Sequence, residues 1–201
     1  ALPVDVVADG GALAVLLEDG TSVAADTVLA AVGMVPDTAL AAAAGLAVED
    51  GIVVEGNGRT SHPRVFAAGD AVRRRNSGVL ERRSEHWDAA VRSGQAAAAG
   101  ILGQEPAQDA VPWFWTDRYG VHAEAVGNMS GVGVTVERGK PGPDYVVFRI
   151  APDGTLAGAA GADAGNSLRA ARRLIALGKP VDASALADPA VDLRRLLRSR
   201  P

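Results

Sequence analysis

The chain has 201 residues, of which 48% are hydrophobic and 22% charged, and it contains no cysteine. These values predict a soluble globular protein of one or two domains and exclude a disordered or fibrous chain. Without cysteine, disulfides, thiolate metal sites and a dithiol relay are excluded, so redox chemistry would need a cofactor. The formal net charge of −4 argues against nucleic acid as a partner.

No apolar run approaches the length of a membrane span, and the first residues show no signal-peptide pattern. These two observations favour a cytoplasmic location without membrane contact. The sequence does not begin with methionine, and it opens inside a strand-like pattern. We therefore expect a fragment of a longer protein, and no G-x-G-x-x-G dinucleotide fingerprint follows a strand in it.

The first residues alternate in a way typical of a β-meander, with Gly-containing turns between short strands. The pattern predicts strands over residues 4–8, 12–18 and 22–25, and then a buried strand over residues 28–32 that ends at Gly33. A short helix over residues 38–45 and a strand over residues 52–54 follow.

Residues 64–68 form an apolar run after Pro63, which predicts a central strand buried on both faces. The run ends in Gly69 and Asp70. Glycine admits a ligand where a Cβ atom would clash, and a carboxylate at the carboxyl end of a parallel strand lies where open α/β sheets bind ligands. Asp70 could accept hydrogen bonds from the hydroxyls of a sugar alcohol. As an alternative, it could cap the next helix.

The eleven residues from Thr60 to Asp70 resemble the second FAD motif of the flavoproteins related to glutathione reductase. The resemblance implies that Asp70 binds the ribityl chain of FAD and that Gly69 permits its approach. The segment Ala31-Val32-Gly33 resembles the Ala-Thr-Gly segment of the same flavoproteins. Since Val32 replaces the threonine, the resemblance implies only a backbone role, for Gly33 near the nicotinamide nucleotide.

Arginines follow the FAD-like motif on both sides of a predicted loop at residues 76–78. They are Arg73, Arg74, Arg75, Arg82 and Arg83. Such a run could be a solvated face. It could equally lie beside the flavin, where Arg73, Arg74 and Arg75 would dock an acidic electron carrier.

Residues 85–102 are predicted to form a long helix, with Ser84 as its N-cap, Gly103 as its stop and a face of small and apolar residues against a sheet. Its first residues, Glu85, His86 and Trp87, resemble the Glu-x-Trp segment of bacterial ferredoxin reductases. The resemblance implies that they border the flavin pyrimidine, where the helix dipole would stabilise negative charge. For His86 we favour a surface or packing role over acid–base chemistry.

Residues 112–120 hold two of the three tryptophans, one of the three phenylalanines and one of the two tyrosines. They follow a predicted linker over residues 104–111. Such a cluster could be a hydrophobic contact between domains or a ring surface for an isoalloxazine. The run resembles the entry to the carboxy-terminal domain of ferredoxin reductases of the putidaredoxin-reductase type, which implies that Trp115 lies near the flavin.

Beyond the aromatic run the pattern predicts a smaller α+β domain. Its strands are expected over residues 121–126, 132–136, 145–150 and 156–160, a helix ends at Leu177, a short helix follows Asp182, and a last helix begins at Asp188.

Together the resemblances imply an α/β fold: part of a flavoprotein with two Rossmann-like dinucleotide-binding domains, followed by a reductase domain. Residues 1–33 would end the NAD(P)H-binding domain, residues 34–110 would belong to the FAD-binding domain, and residues 111–201 would form the carboxy-terminal domain. The implied function is electron transfer from NAD(P)H through FAD to a ferredoxin-type iron–sulfur protein. No catalytic side chain and no metal ligand is assigned within the chain.

Two alternatives remain open at this stage. One is a related NADH oxidase or disulfide reductase, although His122 is followed by alanine where a disulfide reductase would have proline. The other is a non-catalytic module, derived from a flavoprotein, that dimerises or binds a partner. The sequence also leaves open the preference for NADH or NADPH and whether the protein is a homodimer.

Overall fold

The computed structural model describes residues 1–107 and 111–197, so that residues 108–110 of the predicted linker lie outside the described part. The chain divides into two compact units, Ala1–Val35 and Pro36–Pro201. It contains both helices and strands, and the predicted α/β class is confirmed.

The first unit is an antiparallel sheet of three strands in the order β1-β2-β3. The strands are β1 (Pro3–Asp9), β2 (Ala12–Leu17) and β3 (Ser22–Ala25). Gly10 and Gly11, with φ of 56° and 95°, turn the chain between β1 and β2, as only glycine does readily. This meander agrees with the prediction.

The predicted buried strand over residues 28–32 is wrong. These residues have no strand partner among the described residues, and the side chains of Leu29 and Val32 are 88% and 90% exposed. An apolar run becomes a buried strand only where neighbouring strands pair with it, and the meander already ends at β3.

The second unit begins with α1 (Ala39–Ala43) and a small sheet of three strands in the order β4-β5-β6. Its strands are β4 (Ile52–Val54), β5 (Val72–Asn76) and β6 (Val79–Leu80). β4 and β5 are parallel, whereas β5 and β6 form a hairpin. Ser77 and Gly78 close that hairpin with φ of 49° and 83°, the paired positive values typical of a type I′ turn.

The predicted central strand over residues 64–68 is also wrong. Its only pairing among the described residues is an isolated bridge between Arg59 and Phe66. Thr60 explains the difference, because its backbone N–H and its Oγ1 both donate to the carbonyl of Val65, at 3.0 and 2.9 Å. The segment therefore folds back on the residues just before it instead of extending into a sheet.

Helix α2 (Trp87–Ile101) packs closely on the loop that precedes this segment. A Cβ atom on Gly58 would lie 2.7 Å from that of Ala97, and one on Gly100 would overlap the carbonyl oxygen of Asn57. The small residues of α2 therefore seat it on a loop, not on a sheet as predicted. Much of the predicted apolar face is exposed in the described structure, including Trp87, Val91, Ile101 and Leu102.

The rest of the second unit is built on an antiparallel sheet of five strands in the order β7-β8-β11-β10-β9. The strands are β7 (Trp113–Arg118), β8 (Val121–Gly127), β9 (Val134–Arg138), β10 (Tyr145–Ile150) and β11 (Leu156–Ala162). The four predicted strands are present with slightly shifted ends, and the aromatic run adds β7 as an edge strand.

Helix α3 (Gly165–Leu177) covers one face of this sheet and forms the main core with it. β10 alternates, with Val146 and Phe148 fully buried, and α3 presents Leu168 and Leu174 to the same core. Each such side chain contributes about 1.5–3 kcal/mol on burial, so this region carries much of the folding free energy.

Two short helices, α4 (Ala183–Ala187) and α5 (Leu193–Leu196), close the described chain. Asp182 caps α4 as predicted, but the last helix is capped by Asp192, not started at Asp188. Asp188 instead accepts from Val191 N–H in a turn. The buried guanidinium of Arg138 donates to four carbonyls at the end of α4 and in the segment that follows it, those of Leu186, Asp188, Pro189 and Val191.

Candidate functional site

The loop at Gly69 is held against α2. Gly69 has a left-handed φ of 86°, and its N–H donates to Ser93 Oγ at 2.8 Å. The Ser93 hydroxyl in turn donates to the carbonyl of Ala90 at 2.8 Å. Nothing lies within 4 Å of the place where a Cβ atom of Gly69 would be. The loop is therefore fixed through its backbone and open on its outer side.

The Asp70 side chain is exposed to solvent. Among the described residues no hydrogen bond or ion pair is made by its carboxylate, so both oxygens can accept from a ligand.

Arg83 connects this loop to the segment that leads into α2. Its Nη1 lies 2.6 Å from Oε1 of Glu85 and donates to the carbonyl of Asp70 at 3.3 Å. Its Nε lies 3.4 Å from Oδ1 of Asp50. The sequence does not reveal this role, because Arg82 stands directly before Arg83 and no pattern distinguishes the two arginines.

Helix α2 begins at Trp87 with His86 as its N-cap, so the predicted cap at Ser84 is wrong. His86 has the extended backbone that a cap requires (φ −147°, ψ 142°), and its Nδ1 accepts from the N–H of Asp88 at 3.4 Å. The ring of His86 therefore replaces the Ser side chain that usually fills this position.

The aromatic residues of α2 and β7 meet at this helix start. The His86 ring lies 4.4 Å from Trp115 and 5.0 Å from Phe114, measured between ring centroids. Trp115 also approaches Trp87 at 6.0 Å and stacks on Trp113 at 4.5 Å with an interplanar angle of 29°. The structure thus brings together three predicted site residues, His86, Trp87 and Trp115. Trp115 is 29 positions after His86 and 28 after Trp87 in the sequence.

The cluster is partly open to solvent. Trp87 is 67% exposed and Phe114 is 50% exposed, whereas Trp113 is half-buried and packs against the core of the second unit. Arg172 of α3 lies 5.6 Å above the Trp113 ring, so a cation closes the buried end of the stack.

The three arginines predicted for docking lie in strand β5. Each already has an ion pair: Arg73 with Glu49 at 3.6 Å, Arg74 with Glu81 at 3.7 Å and Arg75 with Glu55 at 3.9 Å. Their side chains are 22%, 31% and 38% exposed. This pairing agrees with the solvated-face alternative and leaves less free charge for a partner.

Gly33, the glycine predicted to lie near the nicotinamide nucleotide, belongs to the first unit. It has φ of 100°, and nothing lies within 4 Å of its would-be Cβ atom. That backbone conformation requires glycine and leaves one side open.

Other kinds of site are not found in the described residues. No group of three or more His, Cys, Asp or Glu side chains could hold a metal ion there. No helix in residues 1–107 and 111–197 is long and apolar enough to cross a bilayer. A cavity of about 220 Å³ opens beside Arg138, Asn166 and Arg194, and none of the predicted site residues lines it.

The arrangement around Asp70 fits a dinucleotide flavin. Gly69 leaves room for a chain to pass, the free Asp70 carboxylate suits hydroxyl donors, and the exposed face of the aromatic cluster suits a planar ring. Arg83, Glu85 and His86 join the Asp70 loop to the aromatic cluster. The site thus offers a carboxylate for a polyhydroxyl chain and an aromatic surface for the ring system at its end.

Comparison with known proteins places the chain in a family. Residues 2–94 match the pyridine nucleotide-disulphide oxidoreductase family, and residues 113–197 match the reductase C-terminal family. The two matches together cover most of the chain, and the resemblance to ferredoxin reductases is confirmed.

Its relatives agree with that assignment. The chain is 38% identical over 200 residues to the ferredoxin–NAD(+) reductase component of the anthranilate 1,2-dioxygenase system of Burkholderia cepacia, covering 98% of this chain and 49% of that protein. It superposes with a TM-score of 0.88 and 28% identity on the ferredoxin reductase for the CYP199A2 system of Rhodopseudomonas palustris, over 98% and 49% of the two chains.

A third match is to the crystal structure of the covalent putidaredoxin reductase–putidaredoxin complex. It has a TM-score of 0.82 and 32% identity over 92% of this chain and 45% of that one. The chain thus spans about half the length of the relatives it matches.

Proposed function

We propose that the chain forms part of an FAD-dependent reductase that passes electrons from NAD(P)H to a ferredoxin-type iron–sulfur protein. The observation that carries the proposal is the junction of the Asp70 loop, the start of α2 and Trp115 in one unit. The names of the relatives support the direction of electron flow, since two of them are ferredoxin reductases.

The residues of the junction have separate roles in this proposal. Asp70 accepts hydrogen bonds from the ribityl hydroxyls of FAD, and Gly69 admits the chain without a clash. The first N–H groups of α2, which follow Glu85 and His86, favour negative charge on the pyrimidine side of the ring. Trp87 and Trp115 shield the ring from water. Bound FAD would accept a hydride from the nicotinamide and release single electrons to the iron–sulfur protein.

The proposal also assigns the domains. Residues 1–33 would complete an NAD(P)H-binding domain, with Gly33 near the nicotinamide nucleotide, and residues 34–110 would complete the FAD-binding domain. Residues 111–201 would form the carboxy-terminal reductase domain. A docking role for Arg73, Arg74 and Arg75 has less support than the flavin site, because a partner would have to compete with their glutamates.

The partner is proposed to be a small iron–sulfur protein. One of the structural relatives is a reductase held in a covalent complex with putidaredoxin, which shows that a chain of similar fold can dock such a partner. The proposed partner surface lies next to the flavin edge, because electron transfer is efficient only over short distances.

The test uses the protein as its gene encodes it, purified and passed through gel filtration with and without added FAD. We expect visible flavin bands that stay with the protein, and ferredoxin reduction in the presence of NADH or NADPH. A protein that retains no flavin and reduces no acceptor would overturn the proposal in favour of a non-catalytic module. Retained flavin with oxygen as the sole acceptor would overturn the ferredoxin part and favour an NADH oxidase.

A further inference from the structure

Arg83 is largely buried, and the proposed flavin site gives it no role. Its side chain is only 10% exposed, although it stands in a polar segment next to the exposed Arg82. Burying a guanidinium costs free energy unless its N–H groups find acceptors. Arg83 has hydrogen-bond or ion-pair partners on three different segments of the chain.

The three partners of Arg83 belong to the turn before β4, the Asp70 loop and the approach to α2. The Asp50 carboxylate, the Asp70 carbonyl and the Glu85 carboxylate lie 3.4, 3.3 and 2.6 Å from its nitrogens. The planar fork of arginine can reach several acceptors at once, which the single ammonium of lysine cannot do in the same geometry.

The backbone makes room for this side chain. A Cβ atom on Gly51 would lie 2.9 Å from Cδ of Arg83 and 3.1 Å from the carbonyl oxygen of Ala71. Gly51 is buried and has φ of 128°, a conformation that other residues rarely adopt. A glycine is therefore required where the stem of Arg83 passes, and the contact is built into the local fold.

We propose that Arg83 is a positioning residue that fixes the Asp70 loop relative to the start of α2. It holds the loop by the carbonyl of Asp70 and leaves the carboxylate of Asp70 free for a ligand. It holds the approach to α2 by Glu85, directly before the cap at His86. The link between Arg83 and the cofactor rests on the proposed function, because these two segments form the walls of the proposed flavin site.

The test compares Arg83→Met with Arg82→Met, which removes an exposed arginine from the adjacent position. Amide hydrogen exchange of the purified chain reports each wall directly, through the N–H of Gly69 and the N–H of Asp88, both of which bind side chains. We expect exchange about 10- to 100-fold faster at residues 69–72 and 84–88 in Arg83→Met, the range for losing a charge-assisted hydrogen bond. We expect no change in Arg82→Met or, in either variant, at β10 and α3.

The second readout is the dissociation constant for FAD. We expect it to rise about tenfold in Arg83→Met and to stay unchanged in Arg82→Met. Arg83→Lys, which keeps the charge but loses the fork, is expected to give a smaller change in both readouts. It keeps the test valid if Arg83→Met fails to fold.

The outcomes separate the two hypotheses. Unchanged exchange at both segments, or exchange that rises equally in β10 and α3, would overturn the positioning role. Locally faster exchange with an unchanged FAD affinity would overturn its link to the cofactor. If the wild-type protein binds no FAD, the proposed function fails, whereas the local exchange pattern still decides whether Arg83 joins the two segments.

Discussion

The ring of His86 meets the ring of Trp115 nearly at right angles, with 4.4 Å between their centroids. The same imidazole caps α2 through Nδ1, so one side chain ends the helix and supports the aromatic cluster. Edge-to-face contact is a favoured geometry for aromatic rings. The start of α2 and strand β7 are therefore joined by a contact that no sequence pattern in either segment reveals.

His86→Ala should remove both the cap and the ring contact. We expect the free energy of unfolding to fall by about 1–2 kcal/mol and the near-ultraviolet circular dichroism of the tryptophans to weaken. His86→Asn is the matched control, because asparagine caps a helix well but supplies no ring. It should keep most of the stability while still changing the tryptophan signal. An equal loss of stability in the two variants would show that the cap contributes nothing. A tryptophan signal that neither variant changes would show that the ring contact contributes nothing.

Asp70→Asn should weaken FAD binding without destabilising the protein. The carboxylate is exposed and has no partner among the described residues, so the melting temperature of the flavin-free protein should not change. Loss of charge-assisted hydrogen bonds to the ribityl chain should raise the dissociation constant for FAD by about tenfold or more. Equilibrium titration of flavin fluorescence measures the change. An unaltered constant would argue against Asp70 as the ribityl partner.

His122 should titrate above the ordinary histidine range. Its Nδ1 lies 2.6 Å from Asp117 and its Nε2 lies 2.9 Å from Glu124, so both ring nitrogens face carboxylates. The hydrogen bond with Asp117, followed by that with Glu124, raises the pKa of His122. An NMR titration of the imidazole should therefore find a pKa above about 6.5.

The sign of the stability effect follows from that shift. A pKa that is raised in the folded state means that the folded protein binds the proton more tightly than the unfolded chain. The contribution of His122 is thus fully present below about pH 6.5 and is lost as the pH rises through the folded pKa. His122→Gln should remove this dependence from the pH profile of stability. A profile that is the same in both proteins would contradict the prediction.

Two glycines of α2 should respond to alanine in opposite directions. Gly94 has nothing within 4 Å of its would-be Cβ atom, so Gly94→Ala should stabilise the protein by up to about 1 kcal/mol through helix propensity. In Gly100→Ala the new methyl group would overlap the carbonyl oxygen of Asn57. We expect that variant to be destabilised despite the same gain in propensity. Thermal unfolding of the pair decides, and a stabilised Gly100→Ala would mean that α2 does not rest on the loop at residues 57–58.

Local sequence signals are sufficient for much of this fold. Alternation and glycine turns predict the meander of β1 to β3, and they predict β8 to β11 within a few residues, because each of these strands pairs with a neighbour close in sequence. Gly178, with φ of 59°, ends α3 as its position after an apolar helix indicates.

The failures share a physical cause. The runs at residues 28–32 and 64–68 have the composition of buried strands, but composition says nothing about which strands would lie beside them. In the second run the side chain of Thr60 decides the outcome, because its hydrogen bond to Val65 closes a turn. The sequence alone does not show that Thr60 has this partner.

The candidate site divides in the same way. Gly69, Asp70, His86, Trp87 and Trp115 are recognisable from motifs. The contacts that join these residues cannot be recognised from motifs. They depend on the contacts of Arg83 with Asp50, Asp70 and Glu85 and on His86 acting as a helix cap. The pairing of Arg73 with Glu49 and of Arg75 with Glu55 also joins residues that are far apart in sequence.

The guanidinium of Arg138 determines where this chain can be shortened. Its partners lie 48 to 53 positions further along, in the segment from Leu186 to Val191. A deletion that begins after α3 would remove all four acceptors together with Leu186 and Leu193, two buried residues of the core, which is far more damaging than the loss of two short helices suggests. The segment up to Leu193 therefore belongs to the smallest version of the carboxy-terminal region that can fold.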